Sequence, residues 1–454
     1  MNPSFLFLLA FLALLQLRGD GYFPFPRDWP KDWLLALVLG HLALLWALLL
    51  GFIRAQHQNR PLLGNWLRWV GPAKWGVALG AIALIVAGQW LQAQRFAAIG
   101  YRWEPGVMFT LLAASLVLVA LAFAKERTGR ERTAWALLAA AALGLKFYPI
   151  FCFPITAERS DMLPILSEAG QAWLSGTEVY RFYLLDNGVE TQNVRLPGMI
   201  ALYLPAVALG LDLRWVVWGF EALVFGALIV LGGRLPSQKR PVWALLLVAF
   251  WLLPYWQMRH ELYEVPFWLL LMAAFWALER EKLWALAFLL GVMVATLQWG
   301  WLFAPFFSLA VLRRWGLKPS LLAGSFALAL AGLILWSAVG SHWGDFYFHV
   351  FSYYRHFLAQ GVPYLMSMYL TALLAKLGAL GWLLPMQALG VFGLLGWHAR
   401  KARPISVLMQ VCALALAWML LWNAVAWTYQ YLLVFLLLLQ SWRAQALEEL
   451  KGAD

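Results

Sequence analysis

The chain has 454 residues, of which 63% are hydrophobic and 12% charged, with a net charge of +12. Soluble domains are about a quarter charged, so this balance excludes a soluble globular protein and defines a polytopic membrane protein. Basic cytoplasmic loops account for the positive charge, and nothing in it asks for a nucleic-acid partner. The two cysteines, Cys152 and Cys412, sit in apolar surroundings and form no disulfide framework.

Apolar runs predict spans at about 3–17, 33–53, 75–93, 107–124 and 133–153. The first run lacks a small-residue cleavage site and is read as a retained, short span. Residues 54–74 carry Arg54, Arg60, Arg68 and Lys74 with no acid, and 125–132 carry Lys125, Arg127, Arg130 and Arg132. The intervening loops, 18–32 and 94–106, mix acids with bases. The positive-inside rule therefore places the basic loops and both termini in the cytoplasm. The long polar stretch 154–197 then lies on the outer face.

That stretch holds six carboxylates, Glu158, Asp161, Glu168, Glu178, Asp186 and Glu190, out of 22 acidic residues in the chain. Pro164 favours a helix start nearby and Gly176 suits the residue after its end. Ile165, Leu166, Ala169, Ala172 and Trp173 share one helical face, which predicts an amphipathic helix along the outer leaflet. Asp161 stands just before this helix or in its first turn, where the helix N-terminus favours the ionised carboxylate. From the membrane–water boundary it can accept the proton of an acceptor hydroxyl.

Residues 198–211 are apolar but short. Were they to cross, the loop carrying Arg234, Lys239 and Arg240 would face outward, so this segment is read as non-spanning. Further spans follow at about 214–232, 241–257 and 262–278, then short segments at 284–298 and 300–312 ending at Arg313 and Arg314. A span at 319–339 leads to a second outer region, 340–379, and spans at about 381–397, 404–421 and 424–440 complete about 14 crossings. The tail SWRAQALEELKGAD is expected as a short cytoplasmic helix. The organisation is then N-terminal helices 1–132, a transmembrane core 133–442 with outer loops 154–197 and 340–379, and a tail 443–454. Lys146, about two turns inside the fifth span, is a functional candidate as an intramembrane charge, with Glu221 as a possible partner. No His/Cys/Asp/Glu group has metal spacing, and no Gly-rich phosphate loop is present.

Asp161, then EAGQAWLSGTEVY with Gly176 and Tyr180, then Leu196-Pro197, resemble the first outer loop of polyprenyl-phosphate-sugar-dependent glycosyltransferases of the GT-C superfold. The nearest type is the GT87-like (DUF2029) group, which includes mycobacterial mannosyltransferases. REKLWALAFLLGVMVATLQWGWLFAPFFSLAVLRRW is similar to that group's Gly-rich span, polar break and basic stop, and AVAWTYQYLLVFLLLL to its last span. In that last span Trp427 and Tyr429 to Tyr431 stand in place of the family's Trp-x-His-His. The chain departs from the family in its extra N-terminal spans. It departs again in Arg259-His260-Glu261 where Gly-Gln-x-Asn is usual, and in Gln298 where a lysine is common.

The resemblance implies an all-α GT-C-like bundle in a bacterial plasma membrane. It implies inverting transfer of a mannose-type hexose from a polyprenyl phosphate to a lipid or glycan acceptor on the extracytoplasmic face. Asp161 would be the general base. Arg259, His260, Arg355, His356 and Arg195 are candidates for the departing phosphate, since the arginine fork suits its oxygens. Tyr180, Glu261, Lys146 and Gln298 are candidates for substrate contacts. No cofactor, nucleotide or metal is expected. The competing readings are a transporter or flippase of lipid-linked sugars, a non-catalytic envelope scaffold, and an O-antigen-type ligase or polymerase.

Overall fold

The computed structural model describes residues 161–186, 188, 190–236, 263–353, 369–400, 403–423 and 430–451, with isolated helical positions before and between them. The four spans expected before residue 125 lie outside the described residues, as do the basic loops 54–74 and 125–132. So do Lys146, Arg259, His260, Glu261, Arg355 and His356.

The described chain is mainly helical. Helix α1 (Met162–Leu174) starts immediately after Asp161. Its buried side includes Ile165, Leu166, Ala169 and Ala172, the face that the periodicity marks. It stops in a Schellman turn: Gly176 has φ +69°, its N–H donates to the Trp173 carbonyl (3.1 Å), and Thr177 N–H donates to that of Ala172 (2.9 Å).

A small antiparallel hairpin follows, β1 (Phe182–Leu184) with β2 (Glu190–Gln192), in the register Phe182 opposite Gln192. It is an addition to the all-helical expectation.

Helix α2 (Pro197–Ala208) opens with Pro197 at its first position, and Leu196 before it is extended (ψ 151°) as a residue preceding proline must be. Its 12 residues make about 18 Å of helix, too short for a hydrocarbon core of about 30 Å. Helix α3 (Arg214–Gly233) comes next. At its start Arg214 pairs with Asp212 and donates to the Ile150 carbonyl (3.0 Å).

Three consecutive helices follow, α4 (Val265–Glu279), α5 (Leu283–Thr296) and α6 (Gln298–Trp315), and all three contribute side chains to the core. Only Leu297 separates α5 from α6, in an extended conformation (φ −150°, ψ 145°). The segment expected over 284–298 therefore ends two residues early, at Thr296, and Gln298 already opens α6. Phe267 packs on Phe303 (6.4 Å between ring centres) and Phe275 on Phe307 (4.8 Å), so α4 and α6 run side by side in the same direction. At their shared C-terminal end Arg314 donates to the Leu278 carbonyl (3.0 Å) and to Glu281 (2.5 Å). Cations there also complement the negative helix end.

Helix α7 (Leu317–Val339) buries only Ala323, Ala331 and Val339. A short α8 (Trp343–Tyr347) runs into a π-helical turn (Phe348–Ser352), and α9 (Tyr369–Lys376) lies beyond. Helices α10 (Leu383–Ala399), α11 (Ile405–Leu421) and α12 (Tyr431–Lys451) finish the chain. Gly390 of α10 lets Trp418 close onto the backbone, where its indole N–H donates to the Met386 carbonyl (2.6 Å). The tail expected to begin at 443 continues α12 without a break. Its Arg443 pairs with Glu279 (2.7 Å) and Trp442 stacks on Trp243.

Among the described residues three segments, Arg214–Gly233, Leu317–Val339 and Leu380–Ala399, are long and apolar enough to cross a membrane. Many apolar side chains on them face outward, among them Leu328 and Leu333 on α7 and Leu389 and Phe392 on α10. Such surfaces suit lipid and not water.

Candidate functional site

A buried polar cluster forms where four helix ends meet the loop that precedes α2. Gly198, at the start of α2, lies on the end of α5: a Cβ there would stand 2.7 Å from the Ala295 carbonyl oxygen and 2.8 Å from Thr296 Oγ1. Gln298, the first residue of α6, donates from Nε2 to the Val194 carbonyl (3.1 Å). Tyr203 of α2 donates to the Tyr263 carbonyl (3.2 Å), just ahead of α4. The N-termini of α2, α4 and α6 and the C-terminus of α5 therefore converge around Arg195.

Arg195 is 5% exposed, and its guanidinium lies 4.5 Å over the Tyr263 ring. Its Nε and Nη1 have no hydrogen-bond partner among the described residues. Two bonds fix its backbone: its N–H donates to Asn193 Oδ1 (3.1 Å) and its carbonyl accepts from the Tyr180 hydroxyl (2.9 Å). A buried arginine held this way, among three helix N-termini, gathers positive charge and peptide dipoles at one point.

Glu264 at the head of α4 is the balancing acid. It is 1% exposed, within electrostatic reach of Arg195, with the side chains of Tyr263 and Gln430 hydrogen-bonded to its carboxyl. Its Oε2 has no partner among the described residues. Glu264 falls inside the expected span 262–278 and is not among the expected site residues. The available signal was a carboxylate at the head of an apolar run.

Asp161 caps α1 by position only. Its side chain makes no capping hydrogen bond, and it is exposed, while its carbonyl accepts from Ile165 N–H (3.0 Å). An acid used only to cap its helix would bond the free N–H groups of the first turn. This one makes no such bond, and its oxygens have no hydrogen-bond partner among the described residues.

Tyr180 is 1% exposed, its ring edge-on to Phe346 (4.9 Å), and burial holds its hydroxyl well above the ordinary tyrosine pKa. It stays a proton donor and works as a strut under Arg195. Gln298 likewise spends its amide on the Val194 backbone.

The π-helical turn Phe348–Ser352 packs on the hairpin. His349 Nδ1 lies 2.8 Å from Gln192 Oε1, and its ring meets Phe182 edge-on (5.0 Å). Burial lowers the His349 pKa, opposed by the charge of Asp345. Tyr183, inside the hairpin, is pushed up to about 12 by burial, with Arg181 acting the other way.

No protein-family model, curated protein or solved structure matches this chain.

Proposed function

We propose that the protein is a membrane glycosyltransferase of the GT-C type. In this reading about 14 spans carry the buried polar cluster near the extracytoplasmic face, with both termini in the cytoplasm. The donor is a polyprenyl-phosphate hexose of the mannose type, and the acceptor is a lipid or glycan hydroxyl. Transfer proceeds with inversion. The acceptor oxygen attacks the anomeric carbon, Asp161 accepts the acceptor's proton as the new bond forms, and the lipid phosphate departs as an anion.

The observation that supports this reading is the meeting of three helix N-termini on Arg195, a buried cation whose Nε and Nη1 have no hydrogen-bond partner among the described residues. Peptide dipoles and a guanidinium are what a departing phosphate requires, and they need no reorganisation when its charge develops. Hydrocarbon-facing helices beside the cluster supply a route for a lipid-borne anion.

Binding of a polyprenyl phosphate to purified wild-type, Arg195→Gln, Arg195→Lys and Glu264→Gln proteins tests it, with melting curves to exclude misfolding. Arg195→Gln should weaken binding at least about 30-fold, the equivalent of losing a buried charged partner worth about 2 kcal/mol or more. Arg195→Lys should recover part of it, and Glu264→Gln should keep or improve it by removing a negative charge. Equal binding by folded wild type and Arg195→Gln would overturn the assignment.

A further inference from the structure

Two outer segments far apart in sequence bring three metal-ligating side chains to one point. Glu178 comes from the turn after α1, and His342 and Asp345 from the start of the second outer region. Each offers one ligand atom, and these atoms all lie within 4.8 Å of one another. His342 Nδ1 is 3.6 Å from Asp345 Oδ2. Among the described residues no lysine or arginine forms an ion pair with Glu178 or Asp345, and His342 is the one cationic partner in ion-pair range of Asp345.

We propose that Glu178, His342 and Asp345 bind a divalent cation of the zinc type. Imidazole with two carboxylates is a donor set that suits zinc and its first-row neighbours better than magnesium or calcium, which take oxygen alone. Three protein ligands leave a position for water. The ion offsets the mutual repulsion of the carboxylates and ties the central loop to the second outer region.

The supporting backbone is already in place. Tyr180, two residues past Glu178, packs edge-on to Phe346, one residue past Asp345, and Phe346 packs in turn on Trp343. Convergence of the donors thus follows from docked segments and does not depend on three free rotamers happening to meet.

The ion is a clamp and not part of the transfer step. Asp161 and Glu178 flank opposite ends of α1, whose 13 residues span about 20 Å. Its role is to hold closed the layer of loop that contains the Tyr180–Arg195 strut. This inference does not rest on the glycosyltransferase reading, and metal content is measured without any transfer assay.

The experiment uses tag-free, chelator-stripped protein in detergent or nanodiscs. Zinc, manganese and calcium are added separately, and bound metal is measured by elemental analysis after desalting. Wild type should retain one zinc per chain, bind calcium poorly, and melt at a higher temperature with zinc than without. Glu178→Gln, His342→Ala and Asp345→Asn should each weaken zinc binding by about tenfold or more, at least the effect of disturbing a ligand's support. Their melting without metal should match that of the stripped wild type, since His342 and Asp345 are exposed. His342→Cys should bind cobalt with a thiolate charge-transfer band, which places the ion at this residue. No retained zinc in wild type, or equal zinc in wild type and the triple variant, overturns the proposal.

Discussion

The hydroxyl of Tyr180 donates a 2.9 Å hydrogen bond to the backbone carbonyl of Arg195, fifteen residues away and fully inside the protein. This bond joins the turn after α1 to the start of α2. Removing the hydroxyl leaves a buried carbonyl unsatisfied, at a cost of about 1–3 kcal/mol. Tyr180→Phe should therefore lower the melting temperature while keeping the fold. It should also weaken polyprenyl-phosphate binding, because Arg195 loses its support. Melting and binding measured on one preparation check both, and unchanged melting would remove the strut from the account.

Gly198 permits a close backbone approach at the cluster. A Cβ there would meet the Ala295 carbonyl oxygen at 2.7 Å and its carbon at 2.8 Å, atoms that cannot swing aside. Gly198→Ala should destabilise by about 1–3 kcal/mol, as overpacking does. Gly219→Ala, where nothing lies within 4 Å of the added methyl, should not. Thermal melting of the two variants side by side provides the check.

His349 gives a pH dependence of known sign. Its folded pKa is depressed by burial, so the unfolded chain binds its proton more readily. Stability from this residue is full above the unfolded value of about 6.5 and is lost as pH falls through the folded value. Wild type should thus lose more melting temperature between pH 7.5 and 5 than His349→Gln, which can still bond Gln192 but does not titrate. An identical pH profile for both proteins would exclude His349 as the source.

Asp161→Asn should remove most transfer, by about 10²- to 10⁴-fold, while donor binding and melting change little. Asp186→Asn, in the hairpin turn of the same loop, should be nearly silent. The measurement is transfer from a polyprenyl-phosphate sugar in reconstituted membranes with matched protein. Wild-type turnover by Asp161→Asn, or loss through Asp186→Asn alone, would move the base elsewhere.

Much of the described fold is legible in the residues themselves. The face Ile165, Leu166, Ala169, Ala172 repeats at helical spacing and is the buried face of α1. Gly176 marks the end of that helix because only a positive φ closes its Schellman turn. The polar break read at Gln298 lies next to the joint at Leu297. What stayed hidden depends on partners remote in sequence. The hairpin has three-residue strands, too short for an alternation to show. Glu264 looks like one acid at the edge of an apolar run until Arg195 is brought beside it. Glu178 is separated from His342 and Asp345 by the whole core, so no ligand spacing exists to be read. Arg195 itself was found as a cation next to an apolar stretch, but its burial under Tyr180 was not.

The single-residue joint at Leu297 has a consequence for how this protein can vary. The joint aims the start of α6 into the polar cluster, so part of the positive potential there belongs to peptide groups and not to any side chain. No point substitution deletes a peptide dipole. A side-chain change at Gln298 therefore leaves this part of the potential in place. What would alter it is a change in the main-chain bend at Leu297.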